Sequence, residues 1–172
     1  MKRNAIVNLA IVVLLVFTCY SFWNKQEDSA FAAPNAAAPE VKLPDLDGRW
    51  VDIRKDADGK AVFLVFWTSW CEYCKKEASV LGELYGEFKE RIAFYAVNVT
   101  HQDDLKEVRS FVQAHRLPFP VLLDEKGEVT ERYRVEYLPT FYLIGRDGIV
   151  EDLLIGEIPR ERLLGKLQEL AP

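Results

Sequence analysis

The sequence predicts an α/β fold: a mixed central sheet with helices on both faces, an N-terminal β-hairpin and a helix–strand unit inserted in its middle. Three observations predict it. A continuous apolar run, Ala61–Trp67, and a second mostly apolar one, Ile92–Val99, have the β-branched and aromatic character of strands buried on both faces. Each is followed by a stretch with apolar residues at helical spacing. The chain then closes with a tight hairpin and an amphipathic helix, which adds antiparallel strands to a sheet begun by strand–helix–strand units.

Element by element, Val41–Ile53 holds two short extended pieces around Asp47-Gly48, a hairpin signal. After the first buried strand, Cys74, Ala78, Leu81, Leu84, Tyr85 and Phe88 recur three and four apart and predict a helix from about Glu72 to Glu90. Leu105, Val108, Phe111 and Val112 mark another helix, Pro118–Leu123 a short strand, and Lys126–Tyr133 a short helix. Thr140–Ile144 and Ile149–Ile155 flank the turn Arg146-Asp147-Gly148 as an antiparallel pair. Leu163, Leu164, Leu167 and Leu170 give the last helix.

Ahead of this domain, assigned to residues 40–172, lies a different kind of chain. Residues 5–23 are uncharged and almost wholly apolar, and as a helix they would span about 28 Å, close to a bilayer's hydrocarbon core. Lys2 and Arg3 precede the run, Tyr20, Phe22 and Trp23 end it, and Glu27 and Asp28 follow. That asymmetry puts the N-terminus in the cytoplasm and the remainder outside. The expectation is a membrane anchor over residues 1–24, then a flexible Ala/Pro-rich linker over 25–39. A cleaved signal peptide would use Ala30-Phe31-Ala32, and a lipoprotein would use Cys19, but Val16-Phe17-Thr18 lacks the small residues expected before a lipidated cysteine. Each of these outcomes exports the domain.

The 172 residues carry a net charge of −5, which argues against nucleic acid as a partner, since phosphate binding needs a clustered positive field. With Cys19 inside the apolar run, Cys71 and Cys74 are the one pair left to the domain, too few for a disulfide scaffold. A core of this size needs no such staple.

The pair stands where a buried strand passes into a long helix. A sulfur at a helix N-terminus faces unpaired N–H groups and the positive end of the macrodipole, both of which favour thiolate. Cys71 is therefore the expected exposed nucleophile, and Cys74, one turn further in, the buried resolving sulfur. Zinc binding and an inert pair are the alternatives. Zinc asks for about four ligands, and the only histidines, His101 and His115, form no recognisable ligand spacing with the cysteines. Glu77 follows Cys74 by three and shares a helix face with Leu81, Leu84 and Phe88, so it is expected to be a partly buried carboxyl with a raised pKa, suited to proton transfer.

Residues 66–77, FWTSWCEYCKKE, resemble the active-site segment of the thioredoxin-like TlpA/ResA family, and Leu138-Pro139-Thr140-Phe141 resembles that family's second signature, a cis-proline loop facing the two sulfurs. The resemblance covers about residues 40–170. It implies a thioredoxin-like fold and extracytoplasmic thiol–disulfide exchange through a Cys71–Cys74 disulfide. It also implies protein substrates such as apocytochrome c, and a reductant outside the cytoplasm would need a membrane electron donor, because the exterior is oxidising. The resemblance supports catalytic roles for Cys71, Cys74 and Glu77 and substrate contacts at Leu138, Pro139 and Thr140, and Trp70, just before Cys71 on the turn, is expected as a partly exposed platform beside the sulfur; no cofactor or metal is expected. Plain thioredoxins carry a buried aspartate six residues before the first cysteine, where this chain has Val65. Glu72-Tyr73 departs from the family's residue-plus-proline dipeptide; a carboxylate beside Cys71 works against its thiolate. Two other functions compete: a peroxiredoxin-like peroxidase, of whose P-x-x-x-T-x-x-C motif Thr68 and Cys71 fit part while Leu64 replaces the proline, and a non-catalytic docking module.

Overall fold

The computed structural model describes residues 14–18 and 31–171. The chain divides into two units, Met1–Ala30 and Phe31–Pro172. Of the first unit, residues 14–18 are helical. Most of the apolar run 5–23 and the linker start at 25–30 lie outside the described residues. Among those described, no helix is long and apolar enough to cross a membrane.

The second unit opens with a small antiparallel sheet of β1 (Lys42–Pro44) and β2 (Trp50–Asp52), with Leu43 opposite Val51. Gly48 takes φ 82° in the turn, a conformation that costs glycine nothing. Asp45 closes the turn by accepting from the backbone N–H groups of Asp47 (2.8 Å) and Arg49 (3.0 Å). A single helical turn, α1 (Ile53–Asp56), follows directly. It was not expected, because four residues are too few to show a period.

The main sheet contains β3 (Ala61–Trp67), β4 (Ile92–Asn98), β5 (Val121–Leu123), β6 (Thr140–Ile144) and β7 (Val150–Ile155), in the order β5-β4-β3-β6-β7. β3, β4 and β5 run parallel, and β6 and β7 pair antiparallel. The helices are α2 (Glu72–Phe88), α3 (Leu105–His115), α4 (Glu128–Arg132) and α5 (Arg160–Leu170). α2 starts where expected and ends at Phe88 rather than near Glu90, and α4 is shorter at both ends than the expected 126–133.

Because strand side chains alternate between faces, central β3 supplies two cores. Phe63, Val65 and Trp67 pack with Ala78, Leu81, Leu84 and Phe88 of α2, Val108 and Phe111 of α3 and Leu163 and Leu167 of α5. Val62, Leu64 and Phe66 pack on the other face with Ile53, Val129, Tyr133 and Val41. Every residue of β3 is buried, which explains its unbroken apolar sequence.

Residues 31–39 are a correction to the expected free linker. Ala32 and Asn35 donate to the carbonyls of Arg132 and Val150, Ala38 donates to Gly148, and Val150 donates back to Ala36. The Tyr133 hydroxyl, fully buried, donates to the Pro39 carbonyl at 2.8 Å. Small side chains let this backbone lie close against the β6–β7 end of the sheet, and its backbone polar groups are satisfied there. Composition alone reports polarity and period, and it carried no sign of this docking.

Candidate active site at the end of β3

β3 delivers the chain to a turn, Thr68-Ser69-Trp70, and α2 begins immediately after Cys71. Cys71 is the N-cap residue of α2, with extended backbone (φ −74°, ψ 113°), and its Sγ accepts from the Cys74 N–H at 3.1 Å. The sulfur thus stands in the position where a capping oxygen satisfies an orphan donor. Cys71 and Cys74 are joined as a disulfide, with Cα atoms 5.2 Å apart.

The two cysteines are equally buried in this oxidised state, at 5% exposure each, contrary to the expected contrast between an open Cys71 and a covered Cys74. Joining the sulfurs places both at the same helix end. They differ instead in what they border. Cys71 lines an outer groove with Trp70, Tyr137 and Leu138. Cys74 lines an inner cavity with Glu77, Pro139, Val65 and Trp67.

That cavity, of about 20 Å³, has room for about one water molecule. Glu77 is 4% exposed. Its Oε1 accepts from the Ile158 N–H at 2.7 Å, while Oε2 is buried without a partner. Burial pushes the Glu77 carboxyl above its ordinary range; the Ile158 N–H pulls it down in part, and the nearby Glu157 carboxylate adds to the rise. Val65, at the position where thioredoxins carry their buried aspartate, borders the same space. The carboxyl thus enters from the helix instead of the strand.

The Leu138–Pro139 peptide is cis. Leu138 faces the groove at Cys71 and Pro139 the cavity at Cys74. Thr140 does not join them: it is 3% exposed and its hydroxyl donates to the Tyr137 carbonyl at 2.6 Å, so its side chain is committed to the loop's own geometry. Trp70 is 56% exposed and is fixed by its Nε1–H, which donates to the Gln102 carbonyl at 2.9 Å. Glu72 is held by Lys75 at 2.6 Å, and that hydrogen bond lowers its pKa. Its charge is therefore partly answered before it reaches Cys71.

Asp103, not anticipated from the sequence, organises the turn. Its carboxylate accepts from the Ser69 N–H (2.6 Å), the Ser69 hydroxyl and Asn98 Nδ2 (2.8 Å). Asn98 sits opposite Trp67 at the end of β4 and also donates to the Trp67 carbonyl. One carboxylate therefore ties the segment before Cys71 to the neighbouring strand. The sequence shows Asp103 only as one of two acids ahead of α3, with no sign of a partner 34 positions away. Asp103→Ala is expected to cost about 1–3 kcal/mol, the cost of leaving partly buried donors unpaired. Urea unfolding measures this, and an unchanged midpoint would show that the turn holds itself.

The chain matches the model of the AhpC/TSA family over residues 34–153. A thiol-disulfide oxidoreductase ResA from Bacillus cereus is 35% identical over the whole length of both chains. The crystal structure of StoA from Bacillus subtilis is 29% identical with a TM-score of 0.65, covering 78% of this chain and 99% of that one. A secreted disulfide oxidoreductase from Mycobacterium tuberculosis, described as homologous to DsbE of E. coli, is 26% identical with a TM-score of 0.68, over 76% of this chain and 96% of that one.

Proposed function

The chain belongs to the AhpC/TSA family and is a thioredoxin-fold thiol–disulfide oxidoreductase of the ResA kind, and from this premise we propose that it reduces disulfides of exported proteins outside the cytoplasm. The observation that carries the reading is a Cys71–Cys74 disulfide with Cys71 Sγ at the N-cap of a 17-residue helix.

In the proposed cycle the reduced Cys71 thiolate attacks one sulfur of a substrate disulfide. A mixed disulfide forms and the other substrate sulfur leaves as a thiolate. Cys74, deprotonated, then attacks Cys71 Sγ and releases the second substrate thiol. The substrate gains two electrons and two protons, and the protein ends as the Cys71–Cys74 disulfide. Cys74 needs a base for the second attack, and Glu77 borders its cavity with one oxygen unengaged. Trp70, Leu138 and Pro139 flank the sulfurs where a substrate segment would lie.

Residues 1–24 tether the protein to the membrane and residues 40–172 work outside it. The similarity to a secreted oxidoreductase and the charge pattern around residues 5–23 support that placement. The exterior is oxidising, so a donor in the membrane must return the disulfide to dithiol. Apocytochrome c is the proposed client, on the ResA resemblance.

The test is trapping. Cys74→Ser in the full chain should accumulate substrate proteins linked through Cys71 and released by dithiothreitol, and Cys71 of the reduced protein should alkylate faster than Cys74. No adducts, or equal trapping by Cys71→Ser, would overturn the roles. Measuring hydrogen peroxide consumption by the reduced protein separates exchange from a peroxidase; little turnover is expected, since Leu64 stands in place of that motif's proline.

A further inference from the structure

Aromatic side chains left exposed on a folded domain are informative when they gather. Trp70, Tyr73 and Tyr137 are 56%, 52% and 65% exposed, and all three line the groove that opens on Cys71. The charged residues lining it are Glu72 and Glu136, both exposed; neither lysine nor arginine lines it. Glu72 is paired with Lys75. Among the described residues, Glu136 makes no ion pair.

We infer that this groove selects substrate segments in which a lysine or arginine lies within a few residues of the reactive cysteine. The inference deepens the exchange reading above and rests on it. A cation entering beside Cys71 meets the Glu136 carboxylate and the exposed aromatic rings of Trp70 and Tyr137, groups that attract positive charge. This surface already holds a cation in that manner: Lys76 Nζ lies 5.2 Å from the centre of the Tyr73 ring. A wholly apolar segment would strip water from two carboxylates without replacing it. An acidic segment would be repelled by Glu136, and more weakly by Glu72, whose charge Lys75 partly answers. A second copy of this chain, with its net charge of −5, is a poor occupant for the same reason.

The experiment uses the reduced full chain in detergent and disulfide-linked peptides that differ only in the residue beside the cysteine: Lys, Ser or Glu. A small neutral disulfide, hydroxyethyl disulfide, is the reference. At low salt kcat/KM is expected to fall in the order Lys, Ser, Glu, with about tenfold between the extremes, from an ion pair and a cation–π contact of ordinary exposed strength. In about 1 M salt the Debye length falls to about 3 Å and the spread should shrink severalfold. Glu136→Gln should narrow the Lys-to-Glu ratio about threefold, and Tyr137→Ala should narrow the Lys-to-Ser ratio. Equal rates for the Lys and Glu peptides, with normal turnover of the neutral disulfide, would overturn the groove's selectivity and leave exchange standing. Failure to turn over the neutral disulfide would overturn the exchange reading itself, and the inference with it.

Discussion

Glu77→Gln is expected to slow disulfide exchange about 100-fold, at the lower end of what a positioned acid–base group contributes, and to flatten its pH dependence. The substitution keeps the acceptor for the Ile158 N–H and the side-chain volume, so it removes proton exchange at Oε2 and little else. The loss should fall on resolution of the mixed disulfide, because Glu77 borders the cavity at Cys74 and not the groove at Cys71. Single-turnover kinetics across the acid and neutral range separate the two attacks. Superimposable pH profiles for both proteins would remove Glu77 from the mechanism.

The same carboxyl affects stability with a definite sign. Its folded-state pKa is raised, first by burial and further by Glu157. The folded state therefore holds the Glu77 proton more tightly than the unfolded chain does. This contribution is fully present below the ordinary value of 4.5 and is lost as pH rises through the folded value. Each tenfold displacement of the proton equilibrium is worth about 1.4 kcal/mol. Glu77→Gln has no proton to lose, so its stability relative to the parent should grow as pH rises from 4.5 toward neutrality. Urea midpoints at several pH values check this, and a constant difference would contradict burial as the cause.

Phe63→Ala is expected to cost about 3–5 kcal/mol, the range for removing a buried phenylalanine without full collapse of the cavity. Phe63 is fully buried at the middle of β3, with its ring centre 4.9 Å from that of Phe94 and 5.7 Å from that of Phe141. These three rings join β3 to its partners on both sides. Few groups nearby can move to fill the space, since β4 and β6 are held in register along β3. Because β3 ends at the turn that carries Cys71, the variant should also alkylate faster at Cys74 when reduced, through more frequent opening of that end. A denaturation free energy within about 1 kcal/mol of the parent would mean that the site collapses readily.

Much of this architecture is legible residue by residue. β3 is an unbroken apolar run, and β4 is apolar up to its last residue, Asn98, because both faces of a central strand are covered, and α2 announces itself through Cys74, Ala78, Leu81, Leu84 and Phe88. The placement of Glu77 on the apolar face follows from the same periodicity. α1 and the docked segment 31–39 were not legible. The first is too short to show a period, and the second is held chiefly by backbone groups, which every residue but proline carries alike.

What the sequence by itself determined is local: a nucleophilic pair where a strand becomes a helix, a carboxyl one turn beyond it, and a Leu-Pro loop before a strand. Such features depend on neighbours along the chain, and spacing reports neighbours faithfully. Only the tertiary structure decided that Asp103 holds Ser69, that Glu77 binds the Ile158 N–H and shares a cavity with Cys74 and Pro139, and that Trp70 and Tyr137 border one groove. The hydrogen-bonded partners among these are 34 and 81 residues apart. They meet because the strand order brings β4 and β6 to either side of β3, a consequence of how the whole chain buries its apolar faces.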